Sequence, residues 1–344
     1  MDSNHYFNQF YSQFLAGQFK TYAKNDLIPL PLGSPHCVDY RSLPPASPDL
    51  FSRVIVLKLN GGLGTTLGCN GPKSTIVVDS LRNQSFLDIV INHVLHARQQ
   101  SSHSIPFWLF NSFFTDNDTR LAVGNRIDAN YILQHQFPRI DVSNPDQPKL
   151  FHHPSNERLN WAPPGHGDLY TVLQDQNWIE TQLQAGYDYL FVSNIDNVGA
   201  TLDASILQFM INESIDFVME TTPKLACDVK GGSLILYHNR LHLVEVAQVA
   251  PEALQAFQQL PIFNTNNIWI HLPRLLNPIQ TDLICNPKVI DGTPVIQLES
   301  AMGSAIQSFD RSTTVVVPRH RFMPVKTPQD LEKMRAHFSS KSTS

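Results

Sequence analysis

Val54-Ile55-Val56-Leu57-Lys58-Leu59-Asn60-Gly61-Gly62-Leu63-Gly64-Thr65-Thr66-Leu67-Gly68-Cys69-Asn70-Gly71-Pro72-Lys73 is the stretch that sets the fold. Residues 54–59 are apolar almost throughout, as expected for a strand covered on both faces. Five glycines then fall in the eleven positions 61–71, allowing backbone angles and close approaches that side chains forbid. In α/β sheets, ligands bind outside the carboxyl ends of such strands. Backbone N–H groups of a glycine loop can surround phosphate oxygens, and Lys73 adds a mobile point charge suited to a polyphosphate. A surface turn with a solvated lysine could use the same residues, but the position after a buried strand favours the ligand. The spacing is neither G-x-G-x-x-G nor G-x-x-x-x-G-K-[ST], so the dinucleotide and Walker-type loops lack their fingerprints.

Outward from this stretch, apolar runs recur at Phe107–Phe110, Tyr189–Val192, Phe217–Met219, Leu234–Tyr237, Leu243–Val246, Ile268–Ile270 and Thr313–Val317. Helical patterns separate several of them, at Phe86–Ala97, Leu169–Leu183, Ala204–Asn212, Pro251–Gln258 and Leu298–Phe309. Strands alternating with helices predict an α/β fold with a mixed, mostly parallel central sheet covered by helices on both faces. The closely spaced runs 233–237 and 241–246 predict a small antiparallel subsheet. Upstream, Phe7, Phe10, Tyr11, Phe14, Leu15 and Phe19 repeat at near-helical spacing, predicting an amphipathic helix over His5–Tyr22. The proline-rich segment Ile28–Pro48 is expected to run extended over the surface. The organisation read this way is an N-terminal helix and extended segment (1–50), one catalytic domain (51–338) that ends in a helix from Thr327 to Phe338, and a disordered tail (339–344).

Composition narrows the function. The 344 residues carry 25 Lys and Arg against 30 Asp and Glu, a net charge of −5. Without a basic run, neither a nucleic acid nor an anionic membrane is an expected partner. No apolar run approaches the ~18 residues of a membrane span. The polar start Met1-Asp2-Ser3-Asn4-His5 lacks the basic and apolar stretches of a signal peptide. Cys37, Cys69, Cys227 and Cys285 are scattered, with no zinc spacing. A reducing, cytoplasmic location is therefore expected.

Three more segments carry chemistry. In Pro163-Pro164-Gly165-His166-Gly167-Asp168, prolines stiffen the approach and glycines let backbone come close to a ligand; a helix cap at Asp168 is the plainer reading. Asp196, in Ser193-Asn194-Ile195-Asp196-Asn197, follows an apolar strand. A carboxylate there suits Mg²⁺ shared with substrate phosphates, although such an Asp is commonly a turn residue. Glu245 lies among apolar neighbours and needs a partner, either a cation or sugar hydroxyls.

Asn-Gly-Gly-Leu-Gly-Thr-Thr-Leu-Gly (60–68) with Gly-Pro-Lys (71–73) resembles the signature of UTP–glucose-1-phosphate uridylyltransferases. The segments 163–168, 193–197, Asp228-Val229-Lys230-Gly231-Gly232, Phe263-Asn264-Thr265-Asn266-Asn267 and Pro318-Arg319-His320-Arg321-Phe322-Met323-Pro324-Val325-Lys326 also resemble that family's motifs, in family order. The resemblance runs from about residue 50 to about 335 and implies a Rossmann-like nucleotidyltransferase (glycosyltransferase A-type) fold. It implies that UTP and glucose 1-phosphate react to UDP-glucose and pyrophosphate, with Mg²⁺ as cofactor on Asp196. Lys73, Lys326, Asp196 and His166 would form the catalytic set. Gly61, Gly62, Leu63, Gly64, Gln134 and Gly165 would contact the nucleotide, Gln134 offering both an amide donor and an acceptor to the uracil edge. Asn194, Lys230, Gly232, Glu245, Asn266 and Asn267 would hold the sugar side. Relatives continue into a left-handed β-helix that often drives oligomerisation; this chain stops before it, so a monomer is expected. A pyrophosphorylase for another hexose 1-phosphate, a UDP-sugar glycosyltransferase and an inactive UDP-sugar sensor are the alternatives. The Asn-Gly-Gly-Leu opening and the Asn-Thr-Asn-Asn segment speak against the first. Ser193-Asn194-Ile195-Asp196 lacks the first Asp of a D-x-D metal motif, and the charged catalytic candidates are all present.

Overall fold

The computed structural model describes residues 3–229 and 231–341. In chain order its longer strands are β1 (Cys37–Asp39), β2 (Val54–Asn60), β3 (Phe107–Asn111), β4 (Asn130–Leu133), β5 (Tyr189–Asn194), β6 (Phe217–Pro223), β7 (Gly232–Tyr237), β8 (Arg240–Glu245), β9 (Ile262–His271), β10 (Leu283–Ile290), β11 (Thr293–Ser300) and β12 (Ser312–Val316). Eight form the central sheet, in the order β1-β12-β6-β9-β5-β2-β3-β4. Only β9 runs antiparallel to its neighbours in it; the other pairs are parallel. The sheet is thus mixed and mostly parallel, as expected.

Successive side chains of a strand point to opposite faces, and β2 divides accordingly. Ile55, Leu57 and Leu59 join a core with α4 (Asp168–Asp175) and α5 (Trp178–Gln184). Val56, on the other face, packs with Leu87, Val90, Ile91 and Val94 of α2 (Phe86–Ser101). Full burial of such side chains contributes about 1.5–3 kcal/mol each. The start of α2 is fixed by a capping box in which Ser85 Oγ accepts from the Asp88 N–H (3.2 Å) and Asp88 accepts from the Ser85 N–H (2.7 Å). On that second face α6 (Ala204–Glu213) covers Phe191 and Trp269 with Ile206, Leu207 and Met210. β7 and β8 form the expected antiparallel hairpin.

Several expectations need correction. The N-terminal helix, α1, is Ser3–Leu15 and stops before Gly17, whose φ is +63°; Phe7 and Phe10 pack edge-on against Phe137, while Phe19 is exposed. The proline-rich segment contains β1, which pairs with β12 and forms one edge of the sheet. The pattern over Leu169–Leu183 is two helices, broken at Asn177 with φ +50°. Leu298–Phe309 is not one helix: Leu298 to Ser300 end β11, and Met302–Ser308 form 3-10 turns. β10 and β11, with short strands at Ile140–Asp141 and Lys149–Leu150, make an unexpected four-stranded antiparallel sheet. The last helix, Pro328–Lys341, runs through Ser339 and Ser340, which were expected in the tail; 342–344 lie outside the described residues.

Candidate active site

The carboxyl ends of β2 and β5 lie side by side, Leu59 opposite Asn194, and the segments that follow them form a cleft of about 300 Å³. Asn60, Gly61, Gly62, Lys73, Gln134, Gly165, His166, Asn194 and Asp196 all line it. A larger hollow, of about 450 Å³, lies between α1 and the body; the cleft is the one where the cationic, carboxylate and glycine elements converge.

The glycine loop doubles back on itself. Leu63 bridges Pro72, the Gly64 N–H donates to Gly71 O (3.0 Å), and the Lys73 N–H donates to Gly62 O (3.1 Å). This return delivers Lys73 to the cleft. Its ammonium pairs with Asp196 and donates to the carbonyl of Val325. Ser112 Oγ and Thr115 Oγ1 hold the carbonyls of Gly61 and Asn60, both at 2.7 Å. Gly64 is buried, and a Cβ there would meet Cys69 Cβ at 2.8 Å and Ile76 at 2.9 Å. The Gly64 amide is thus used inside the loop, and its missing side chain lets the loop close. Gly61 lies flush against Gln134, whose Nε2 would be 2.3 Å from a Cβ at that position.

Ser300, at the end of β11, clamps the 163–168 segment. Its N–H donates to Pro164 O (2.9 Å) and its carbonyl accepts from the Gly167 N–H (2.9 Å). Gly165 has φ +80°, and a Cβ on it would fall 2.6 Å from Ser300 O, so a side chain is excluded twice over. His166 Nδ1 accepts from the Met302 N–H at 2.7 Å, and burial pulls the imidazole pKa down to about 4. A neutral ring whose Nδ1 accepts carries its proton on Nε2. Nε2 then presents an N–H donor and not the lone pair a metal would need.

Lys58 fastens the loop that carries Asp196. Buried in β2, its Nζ donates to Ser193 Oγ (2.6 Å) and to Ala200 O (2.8 Å), and burial lowers its pKa to about 7. Nothing in the strand's apolar pattern had pointed to it.

The remaining candidates divide. A bulge between Glu220 and Thr221 in the β6–β9 pairing throws Thr265 and Asn266 out of register. Asn266, at φ +61°, donates to Asn194 Oδ1 at 2.9 Å, and its own buried Oδ1 has no partner among the described residues. Asn267 is fully buried, and its amide is shared among Asn197, Glu220 and the carbonyl of Arg321. Gly232 sits opposite Glu245, and a Cβ on it would lie 2.8 Å from Glu245 Oε1. Burial pushes the Glu245 pKa up to about 7, with Lys326 pulling the other way. Lys230 lies outside the described residues.

Lys326 sits just before the last helix, where Asp330 accepts from the N–H groups of Lys326 (3.1 Å) and Thr327 (2.9 Å). Its ammonium lies 5.5 Å from the centre of the Phe263 ring. The side chain is solvent-accessible, yet the surrounding protein desolvates it enough to lower its pKa, against the attraction of Asp196, Glu245 and Asp228 and with the repulsion of Lys73. Two arginines that the sequence reading left without a role hold this segment. Arg319 makes a two-pronged contact with Asp228 (2.7 and 2.8 Å). Arg321 donates to both oxygens of the fully buried Glu220 (2.7 and 2.8 Å); burial disfavours its charge, but Glu220 holds its pKa above the usual arginine value.

Comparison with known proteins follows the same lines. The family model described as UTP--glucose-1-phosphate uridylyltransferase matches residues 4–343. The chain belongs to this family. It is 38% identical to UTP--glucose-1-phosphate uridylyltransferase 2 of Dictyostelium discoideum, covering 97% of this chain and 68% of that protein. It is 40% identical to the Solanum tuberosum uridylyltransferase, over 86% of this chain and 65% of that one. Among solved structures, UDP-glucose phosphorylase from Trypanosoma brucei superposes with a TM-score of 0.87 at 36% identity, covering 96% of this chain and 74% of that one. A mutant of Leishmania major UDP-glucose pyrophosphorylase, in complex with UDP-glucose, gives 0.84 at 32% identity, over 94% and 73%. This uridylyltransferase-family chain thus spans about two thirds of the length of the curated relatives it matches. Among the described residues no helix is long and apolar enough to cross a membrane.

Proposed function

We propose that the chain transfers the uridylyl group of UTP to glucose 1-phosphate, releasing pyrophosphate and forming UDP-glucose, in a reversible reaction. One observation carries this reading: Lys73, Asp196, His166, Gln134 and Gly165, from segments far apart in the chain, line a single cleft at the carboxyl edge of the sheet. A phosphate oxygen of the sugar attacks the α-phosphorus of UTP in line as the bond to pyrophosphate breaks. The nucleophile is already an anion at neutral pH and needs no general base. Such transfers are largely positioning and charge neutralisation. Lys73 neutralises the departing pyrophosphate, and Lys326 the attacking and α-phosphates. The His166 Nε2–H donates to a phosphate oxygen. Gln134 reads the uracil edge beside Gly61 and Gly165. Glu245, Asn194 and Asn266 hold the hexose, the unpartnered Asn266 Oδ1 accepting from a hydroxyl.

Asp196 is the carboxylate of this set, and among the described residues no group of three His, Cys, Asp or Glu could hold a metal. That donor set fits Mg²⁺, which commonly takes one or two carboxylates and completes its shell with phosphates and water. When bound, the ion would neutralise phosphate charge beside Lys73. A location in the cytoplasm is part of this reading. The test is chromatographic: UTP and Mg²⁺ are supplied with glucose, galactose or N-acetylglucosamine 1-phosphate in turn. UDP-glucose as the main product supports the assignment; a preference for another sugar phosphate, or no nucleotide sugar at all, overturns it.

A further inference from the structure

Among the described residues the Gln134 side chain has no hydrogen-bond partner that would fix where its amide lies, yet the residue beside it is held firmly. The His135 backbone N–H donates to Asp168 Oδ2 at 2.8 Å, and His135 Nδ1 donates to Asp168 Oδ1, also at 2.8 Å. Both carboxylate oxygens thus grip one residue. Asp168 is 5% exposed and opens α4, directly after Gly165-His166-Gly167. The pair therefore ties the chain after β4 to the 163–168 segment, whose Gly165 and His166 line the same cleft as Gln134. On its other side the His135 ring meets Tyr6 of α1 at 5.7 Å, and the Tyr6 hydroxyl donates to Asp175 at the end of α4 (2.9 Å). Among the described residues, Asp168, Asp175 and Tyr6 are titratable groups around the ring. The Asp168 hydrogen bond raises the His135 pKa, against desolvation.

We infer that His135 and Asp168 form a clamp that sets the distance between Gln134 and Gly165, and so determines the preference for a uracil base. This rests on the proposed nucleotide reading of the cleft. Neither residue lines the cleft, so both are positioning residues: they act through Gln134 and the 163–168 segment, and a misplacement of even about 1 Å in such a site costs up to ~100-fold.

The experiment compares His135→Phe, which keeps a ring against Tyr6 but has no donor, with His135→Asn, which places an amide nitrogen near the position of Nδ1. Steady-state constants are measured for UTP, CTP and glucose 1-phosphate, alongside Tm. The clamp predicts that His135→Phe raises KM for UTP about tenfold, the loss of one charge-assisted hydrogen bond. KM for glucose 1-phosphate stays within about twofold, the margin between UTP and CTP narrows, and His135→Asn restores most of the UTP constant. An unchanged UTP constant in His135→Phe, an equal rise for both substrates, or a His135→Asn protein as impaired as His135→Phe overturns the inference. If the unaltered protein binds UTP without turnover, the proposed reaction fails separately, and dissociation constants for UTP and CTP carry the same comparison. If it binds neither, clamp and reaction fall together.

Discussion

Replacing Glu245 by Gln should make the ligand-free protein more stable at neutral pH and a worse enzyme. The Glu245 carboxyl has an ordinary value of 4.5 and is raised to about 7 by burial. A raised folded-state pKa means that the folded protein binds the proton more tightly than the unfolded chain does. The associated stability is fully present below pH 4.5 and is lost as pH rises through about 7. At 1.36 kcal/mol per pKa unit, a fully dry site would lose about 3 kcal/mol by pH 8. Glu245 is partly exposed, which reduces the expected figure to about 1–2 kcal/mol. Gln keeps the shape and removes the charge. At about pH 4.5 the two proteins should therefore melt together, and at about pH 8 the variant should melt about 1–3 °C higher. Thermal melts at half-unit pH steps read this directly, because all other titrations cancel in the difference. A Tm difference that does not change with pH, or a variant less stable at the alkaline end, would refute the reasoning. In the assay the same variant should show a higher KM for glucose 1-phosphate, as a charged acceptor for sugar hydroxyls has been removed. A residue kept at a cost to stability marks a functional site.

Arg321→Met leaves Glu220, which is 0% exposed, with Trp269 Nε1 and Asn267 Nδ2 as its remaining side-chain donors among the described residues; breaking such a buried pair costs about 3–5 kcal/mol, and urea unfolding showing a loss under about 1 kcal/mol would contradict the network. Gly61→Ala puts a methyl 2.3 Å from Gln134 Nε2, the mobile end of a side chain, so Tm should hold while KM for UTP rises about tenfold or more through a displaced Gln134. An unchanged UTP constant would separate Gln134 from base reading. Asp196→Asn removes the carboxylate assigned to Mg²⁺, and turnover should fall by about 100-fold or more, with a weaker response to added Mg²⁺; a wild-type Mg²⁺ titration curve in this variant would remove the metal from Asp196.

What could be read from the chain follows from what is local in it. The run from Val54 to Lys73 holds its own explanation: a both-faces-buried strand, then glycines, then a lysine that the loop's return delivers to Asp196. Strand-end positions such as Asn194 and Asp196 were legible for the same reason. The burial of Asn267 was not, because its direction depends on the bulge at Thr265 and Asn266, a mismatch with β6 that no single strand reveals. Leu298 was misread because a short apolar run suits a buried helix as well as a strand, and only pairing with β10 decides. The partners of Lys58 and Arg321 lie more than a hundred residues away; a buried cation is visible in the sequence only as an oddity in an apolar strand or a motif.

The measurement that bears most directly on the central claim is pyrophosphate release from UTP, glucose 1-phosphate and Mg²⁺, run beside an EDTA control and a Lys326→Ala protein of unchanged Tm. The account predicts release that needs both substrates, stops with EDTA and falls by about 100-fold or more in the variant, as expected when a charge that neutralises the transferring phosphates is lost. Release that ignores glucose 1-phosphate, persists in EDTA or survives the loss of Lys326 would contradict it.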